Sequence, residues 1–95
     1  MASYQLTEEA DADLTNILRF GIQEFGLQQA EKYYDELIIR LSEIATNPLL
    51  YQAVEEIPED YRRSVYHSHS IYYEIIESDV LIIRILGQQD LKTAF

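Results

Sequence analysis

Apolar side chains recur along this chain with two different periods, and the switch divides it into a helical first half and a strand-rich second half. Tyr4 to Leu6 reads apolar, polar, apolar and suits a short strand. Thr7 then offers its hydroxyl as a helix N-cap, and Glu8, Glu9 and Asp11 fill the first turn, where the helix dipole favours anions. Ala10, Leu14, Ile17, Leu18, Gly21, Ile22 and Phe25 make one helical stripe, which Gly26 should close in the left-handed conformation. A second stripe follows at once through Leu27, Ala30, Tyr33, Tyr34, Leu37, Ile38, Leu41, Ile44 and Ala45, stopping before Asn47-Pro48. So short a connection predicts an antiparallel helical hairpin over about residues 7–47, with Glu36 and Arg40 spaced to pair on its second arm.

From Pro48 to Asp60 the pattern becomes irregular, a loop with room for a short edge strand around Val54 to Ile57. Tyr61–Tyr66, Ile71–Ile76 and Val80–Leu86 are rich in β-branched and aromatic residues and separated by segments short enough for hairpins. They predict an antiparallel meander over residues 61–86. The expectation is one α+β domain over residues 1–95, in the order β-α-α-β-β-β, with the helical hairpin on one face of an antiparallel sheet. A tail, residues 87–95, follows, in which Leu91 and Phe95 have the spacing of one amphipathic turn.

The last strand, VLIIRIL, is apolar on both faces: Leu81, Ile83 and Ile85 on one, and Val80, Ile82 and Leu86 around Arg84 on the other. One pair of helices covers one sheet face, so the other is expected to take a protein partner, a second copy or the tail. A guanidinium among aliphatics needs a counter-group. Arg84 either pairs internally with an acid such as Glu74 or joins Arg62 or Arg63 in a cationic spot within an apolar groove, and Arg84→Glu is then expected to weaken binding without unfolding.

Charge narrows the partners. The formal net charge is −10, and residues 1–60 hold 13 of the 17 acids but three of the seven bases. Phosphate binding depends on clustered Lys and Arg, so sequence-specific nucleic-acid binding is not expected. The chain has no cysteine, which excludes disulfides and thiolate chemistry. His67 and His69 stand two apart near a turn, and two ligands alone make a poor metal site, so neither metal nor cofactor is expected. No stretch approaches the roughly 20 apolar residues of a membrane span, and no basic segment precedes an apolar run at the start, so a cytoplasmic location is expected.

The text YQLTEEADADL at Tyr4–Leu14, FGLQQAEKYYDEL at Phe25–Leu37, ATNPL at Ala45–Leu49, YRRSVYHSHSIYYEI at Tyr61–Ile75 and VLIIRIL at Val80–Leu86, in this order and spacing, resembles the ParE-type toxins of bacterial toxin-antitoxin pairs, within the RelE/ParE superfamily. The likeness extends over about 90 of the 95 positions. It implies a bacterial cytoplasmic toxin that inhibits DNA gyrase and blocks replication. It also implies neutralisation in a hetero-oligomer by a ParD-like antitoxin whose C-terminal segment wraps the toxin. Two features depart from the family: Gly87 stands where a histidine usually follows the last strand, and the chain is acidic where such toxins tend to be neutral or basic.

The related RelE branch cleaves messenger RNA on the ribosome with basic and acid/base residues. Arg62 or Arg63 and Arg84 match its arginines, but the lysines are confined to Lys32 and Lys92, and proton transfer would fall to His67 or His69. The resemblance therefore favours a toxin without a catalytic residue, with ribonuclease and a non-toxic binding module as alternatives. Candidate contacts to antitoxin or target are Tyr61, Arg62, Arg63, Arg84, Val80, Ile82 and Leu86, and on the tail Gln88, Gln89, Asp90, Leu91 and Phe95.

Overall fold

The computed structural model describes residues 3–77, 79–87 and 94–95. Its elements are β1 (Tyr4–Leu6), α1 (Glu8–Phe25), α2 (Leu27–Thr46), β2 (Arg62–Tyr66), β3 (His69–Ile76) and β4 (Asp79–Leu86), in the predicted α+β order. Thr7 caps α1 by accepting from the Ala10 N–H at 3.0 Å, and the same hydroxyl donates to the Ile83 carbonyl at 2.8 Å. One side chain thus starts the helix and ties it to the sheet.

A single residue separates the two helices. Gly26 has φ 91° and ψ 162°, a region only glycine occupies cheaply, with an extended ψ rather than the left-handed helical conformation its position suggested. Its N–H donates to the Ile22 carbonyl and its own carbonyl accepts from the Ala30 N–H, so one residue closes one helix and opens the next. A Cβ on Gly21 would lie 3.1 Å from that of Ala30, so this glycine lets the two helices approach closely. Arg40 does not take Glu36: its Nε pairs with Glu43 at 3.2 Å, while its Nη1 donates to Ser64 and to the Val65 carbonyl on β2.

The strand order is β1-β4-β3-β2. The three long strands form the expected antiparallel meander, but β1 pairs in parallel with β4, Tyr4 beside Val80 through Leu6 beside Ile82, which makes the sheet mixed. Three alternating residues mark a strand without marking its direction. Ala10 and Leu14 of α1 and Leu37, Leu41 and Ile44 of α2 pack on Ile71, Tyr73, Val80, Ile82 and Ile85, all but sealed from solvent. Each such aliphatic side chain contributes roughly 1.5–3 kcal/mol by leaving water.

Two expectations fail in the sheet, for one reason each. Tyr72 lies opposite Arg84 but Tyr73 opposite Ile82, so β4 carries one extra residue, a bulge that reverses which face its later side chains take. Val80 and Ile82 are therefore core residues beneath the helices, together with Ile85, while Leu86 belongs to the opposite face. That opposite face is not bare. The 48–60 loop forms one bridge, Ala53 to Arg62, instead of an edge strand, and turns Val54 and Ile57 under the sheet against Tyr72 and Leu86, with Tyr61, Ala94 and Phe95 closing around them. Of the covers the sequence allowed, the chain's last residues supply part, joined by the 48–60 loop, to which the sequence did not point.

Candidate functional site

Arg84 is held by the fold. Its Nε and Nη2 donate to the two carboxylate oxygens of Asp13 at 2.8 and 3.0 Å, a bidentate pair, and the Ile85 N–H donates to the same carboxylate at 2.9 Å. Those hydrogen bonds, ahead of the opposing effect of burial, raise the guanidinium's pKa above its ordinary value. β1 accompanies β4 only as far as Ile82, so the outer edge of β4 beyond that point is met by Thr7 and Asp13 of the first helical turns instead of by a strand. Of the two fates the sequence allowed for Arg84, the structure takes the internal ion pair, with Asp13 rather than Glu74.

Of the other arginines, Arg62 pairs in register with Tyr73 and donates to the Tyr51 carbonyl at 2.6 Å. Arg63 stands opposite Tyr72, which in turn stands opposite Arg84, so Arg63 and Arg84 share one cross-strand row with Tyr72 between them, as the sequence allowed for one of the two, while the Arg84 guanidinium is turned to Asp13. Tyr61 packs edge-on against Phe95, ring centroids 5.5 Å apart, and Phe95 meets Tyr72 in the same way at 5.2 Å. Phe95→Ala is expected to cost about 1–2 kcal/mol, less than a fully buried ring would, because the residue is half-buried. Urea unfolding would measure it, and an unchanged midpoint would show that the ring contributes no cover. Gln88, Gln89, Asp90 and Leu91 lie outside the described residues.

A cleft of about 1230 Å³ lies elsewhere, between the tip of the helical hairpin and the β2–β3 turn. Its rim holds Phe20, Phe25 and Leu27, each about 60% exposed, and its far wall is Tyr33 with His67 and His69. The Tyr33 hydroxyl lies 2.6 Å from His69 Nδ1, and burial lowers the pKa of that imidazole, which favours its neutral, accepting form. Below it Arg40 stacks 4.9 Å from the centre of the Tyr66 ring while plugging the outer edge of β2. Among the described residues, no group of three or more His, Cys, Asp or Glu side chains is placed to hold a metal ion, and no helix is long and apolar enough to cross a membrane.

Sequence reasoning assigned Phe25 and Leu27 to buried stripes and did not single out Phe20. Phe25 and Leu27 flank the one-residue connection, whereas the helix residues buried against the sheet, Ala10, Leu14, Leu37, Leu41 and Ile44, lie toward the hairpin's other end. A stripe marks the buried side of a helix and not how far along it the cover extends.

Comparison with known proteins identifies the fold and the lineage. Residues 4–91 match the family described as ParE toxin of type II toxin-antitoxin system, parDE. A curated relative named Toxin ParE1, from Caulobacter vibrioides, is 36% identical over 88 residues, covering 93% of this chain and 91% of its own. Another Toxin ParE1, from Mycobacterium tuberculosis, is 32% identical over 87 residues, covering 90% and 89%. Among solved structures, the chromosomal ParDE toxin-antitoxin system from P. aeruginosa superposes with a TM-score of 0.81 at 20% identity, covering 94% of this chain and 98% of the other. The toxin-antitoxin complex RelBE2 from M. tuberculosis does so with 0.70 at 13%, covering 94% and 93%. With the hairpin, the meander and the parallel first strand all in place, the chain belongs to the ParE toxins of type II toxin-antitoxin systems.

Proposed function

We propose that this toxin acts by binding, inhibiting DNA gyrase and so stalling replication in the bacterial cytoplasm, and that a ParD-like antitoxin neutralises it in a hetero-oligomer. The mode of action rests on the commitment of Arg84 to Asp13. A ribonuclease of the RelE kind needs free cations aimed at the scissile phosphate, and here a carboxylate holds the arginine of β4 in a bidentate grip. Of the two residues able to move protons, His69 meets the Tyr33 hydroxyl and His67 packs beside Tyr33 and Tyr66, while Arg63 stands in the row of Tyr72. Among the described residues, Arg63 and Tyr61, beside Phe95, are partly exposed candidates for the target contact. For the antitoxin, the hairpin-tip cleft supplies the exposed aromatic and aliphatic anchors that protein interfaces favour.

The test is a plasmid supercoiling assay with purified gyrase beside a ribosome-programmed cleavage assay. Supercoiling should stop as toxin reaches the gyrase concentration, with messenger RNA intact. Cut message with normal supercoiling would establish the ribonuclease alternative, and harmless overexpression in a growing culture would reduce the protein to a binding module.

A further inference from the structure

The hairpin-tip cleft adjoins a shallow depression on α2 lined by Gln28, Glu31, Lys32, Asp35 and Glu36. Gln28, Lys32 and Glu36 line both, so the two are one surface: apolar at the tip, and along α2 carrying three carboxylates against one ammonium. The nearest other cation on this helix, Arg40, is turned onto Ser64 and Val65 of β2 and does not balance them. On the far wall, burial keeps the His69 ring on its neutral side.

We propose that the segment filling this surface is apolar and basic: the antitoxin's toxin-wrapping stretch sets Leu-, Ile- or Phe-type anchors into the tip and Lys or Arg side chains along Glu31, Asp35 and Glu36. The toxin is then the acidic member of this pair, where such toxins tend to be neutral or basic. The inference rests on the reading that the antitoxin docks at the hairpin tip, and charge complementarity selects the occupant. A second copy of this chain would bring a net charge of −10 to an acidic shelf, and nucleic acid or an anionic membrane would bring phosphate to it. Each of these juxtaposes like charges, which disfavours association, whereas a cationic segment is steered in and held.

Two synthetic amphipathic peptides of about 16 residues, roughly four helical turns, would test this against the full-length chain by fluorescence anisotropy. They share one leucine pattern and differ only in having lysine or glutamate flanks. The lysine peptide should bind about tenfold tighter, with the difference shrinking as salt rises from about 50 to about 500 mM. Glu31→Gln with Asp35→Asn should weaken the lysine peptide about threefold and leave the glutamate peptide no weaker. Phe25→Ala should weaken both. Equal affinity of the two peptides, still sensitive to Phe25→Ala, would overturn the basic-partner inference and leave the cleft reading standing. Binding by neither peptide, or binding indifferent to Phe25→Ala, would overturn the docking site itself.

Discussion

Replacing Asp13 by alanine should destabilise the protein by about 3 kcal/mol, far more than the loss of a surface ion pair. Three bonds go together: two from Arg84 and one from the Ile85 N–H. The Asp13 side chain is 13% exposed and that of Arg84 26%, so the guanidinium left behind is mostly out of water with no partner, and the backbone donor is orphaned at the sheet edge. Asp13→Asn keeps an acceptor for Ile85 and loses the charge, and should cost about half as much. Arg84→Met should be milder than Asp13→Ala, since it removes the charge instead of stranding it. A double-mutant cycle of Asp13→Ala with Arg84→Met, read by urea unfolding, should give a coupling of about 2 kcal/mol. A coupling near zero would mean the pair has no role in stability.

That pair also changes what Arg84→Glu can test. From sequence, the substitution was a probe of binding that spares the fold. In the structure it removes two of the three hydrogen bonds that Asp13 accepts and sets a second carboxylate against it, so a loss of stability accompanies any effect on a partner. Arg63, in the Tyr72 row on the opposite face, is the better probe of the target-binding reading.

How much was legible follows from which signals are local. Thr7, the two stripes, Gly26 and Asn47-Pro48 fix both helices to within a residue or two, because caps and periodicity act over a few positions. The meander was legible from its aromatic and β-branched runs and short turns. The extra residue in β4 was not. VLIIRIL is apolar at every position but one, and a continuous apolar run carries no alternation from which a bulge could be read. That one residue moves Val80 and Ile82 from a predicted contact surface to the core. The cover over the opposite face was hidden for another reason: Val54 and Ile57 flank Glu55 and Glu56 in a loop whose path is set by long-range contacts with Tyr72 and Leu86. Val80, Ile82 and Leu86 entered the candidate contacts because that argument began from a face taken to be open, and in the structure they are buried. The exposed hairpin tip was not legible because a stripe gives the buried side of a helix and not how far along it the cover extends.

The steepest pH effect should come from Tyr73, on the alkaline side. Its ring lies in the core beneath the helices, fully buried, and its hydroxyl donates to the Pro48 carbonyl at 2.5 Å, pinning the loop that leaves α2. Burial pushes its pKa up to about 12, against a smaller lowering by Arg62 and a further rise from Tyr51. A phenol whose pKa is raised by folding keeps its proton in the native state where the unfolded chain has lost it. The stabilisation is complete below about pH 10 and is lost as pH rises toward 12, by roughly 2.7 kcal/mol for two pKa units. Tyr33, Tyr61 and Tyr66 are shifted in the same direction, so the loss does not vanish without Tyr73, but it should become shallower. Tyr73→Phe should lower stability at pH 7 by about 1–2 kcal/mol, because the Pro48 carbonyl loses its donor. The same variant should lose less between pH 10 and 12 than the parent, so the two urea midpoints converge and then cross. Parallel curves for parent and variant across that interval would show that Tyr73 does not control the alkaline transition.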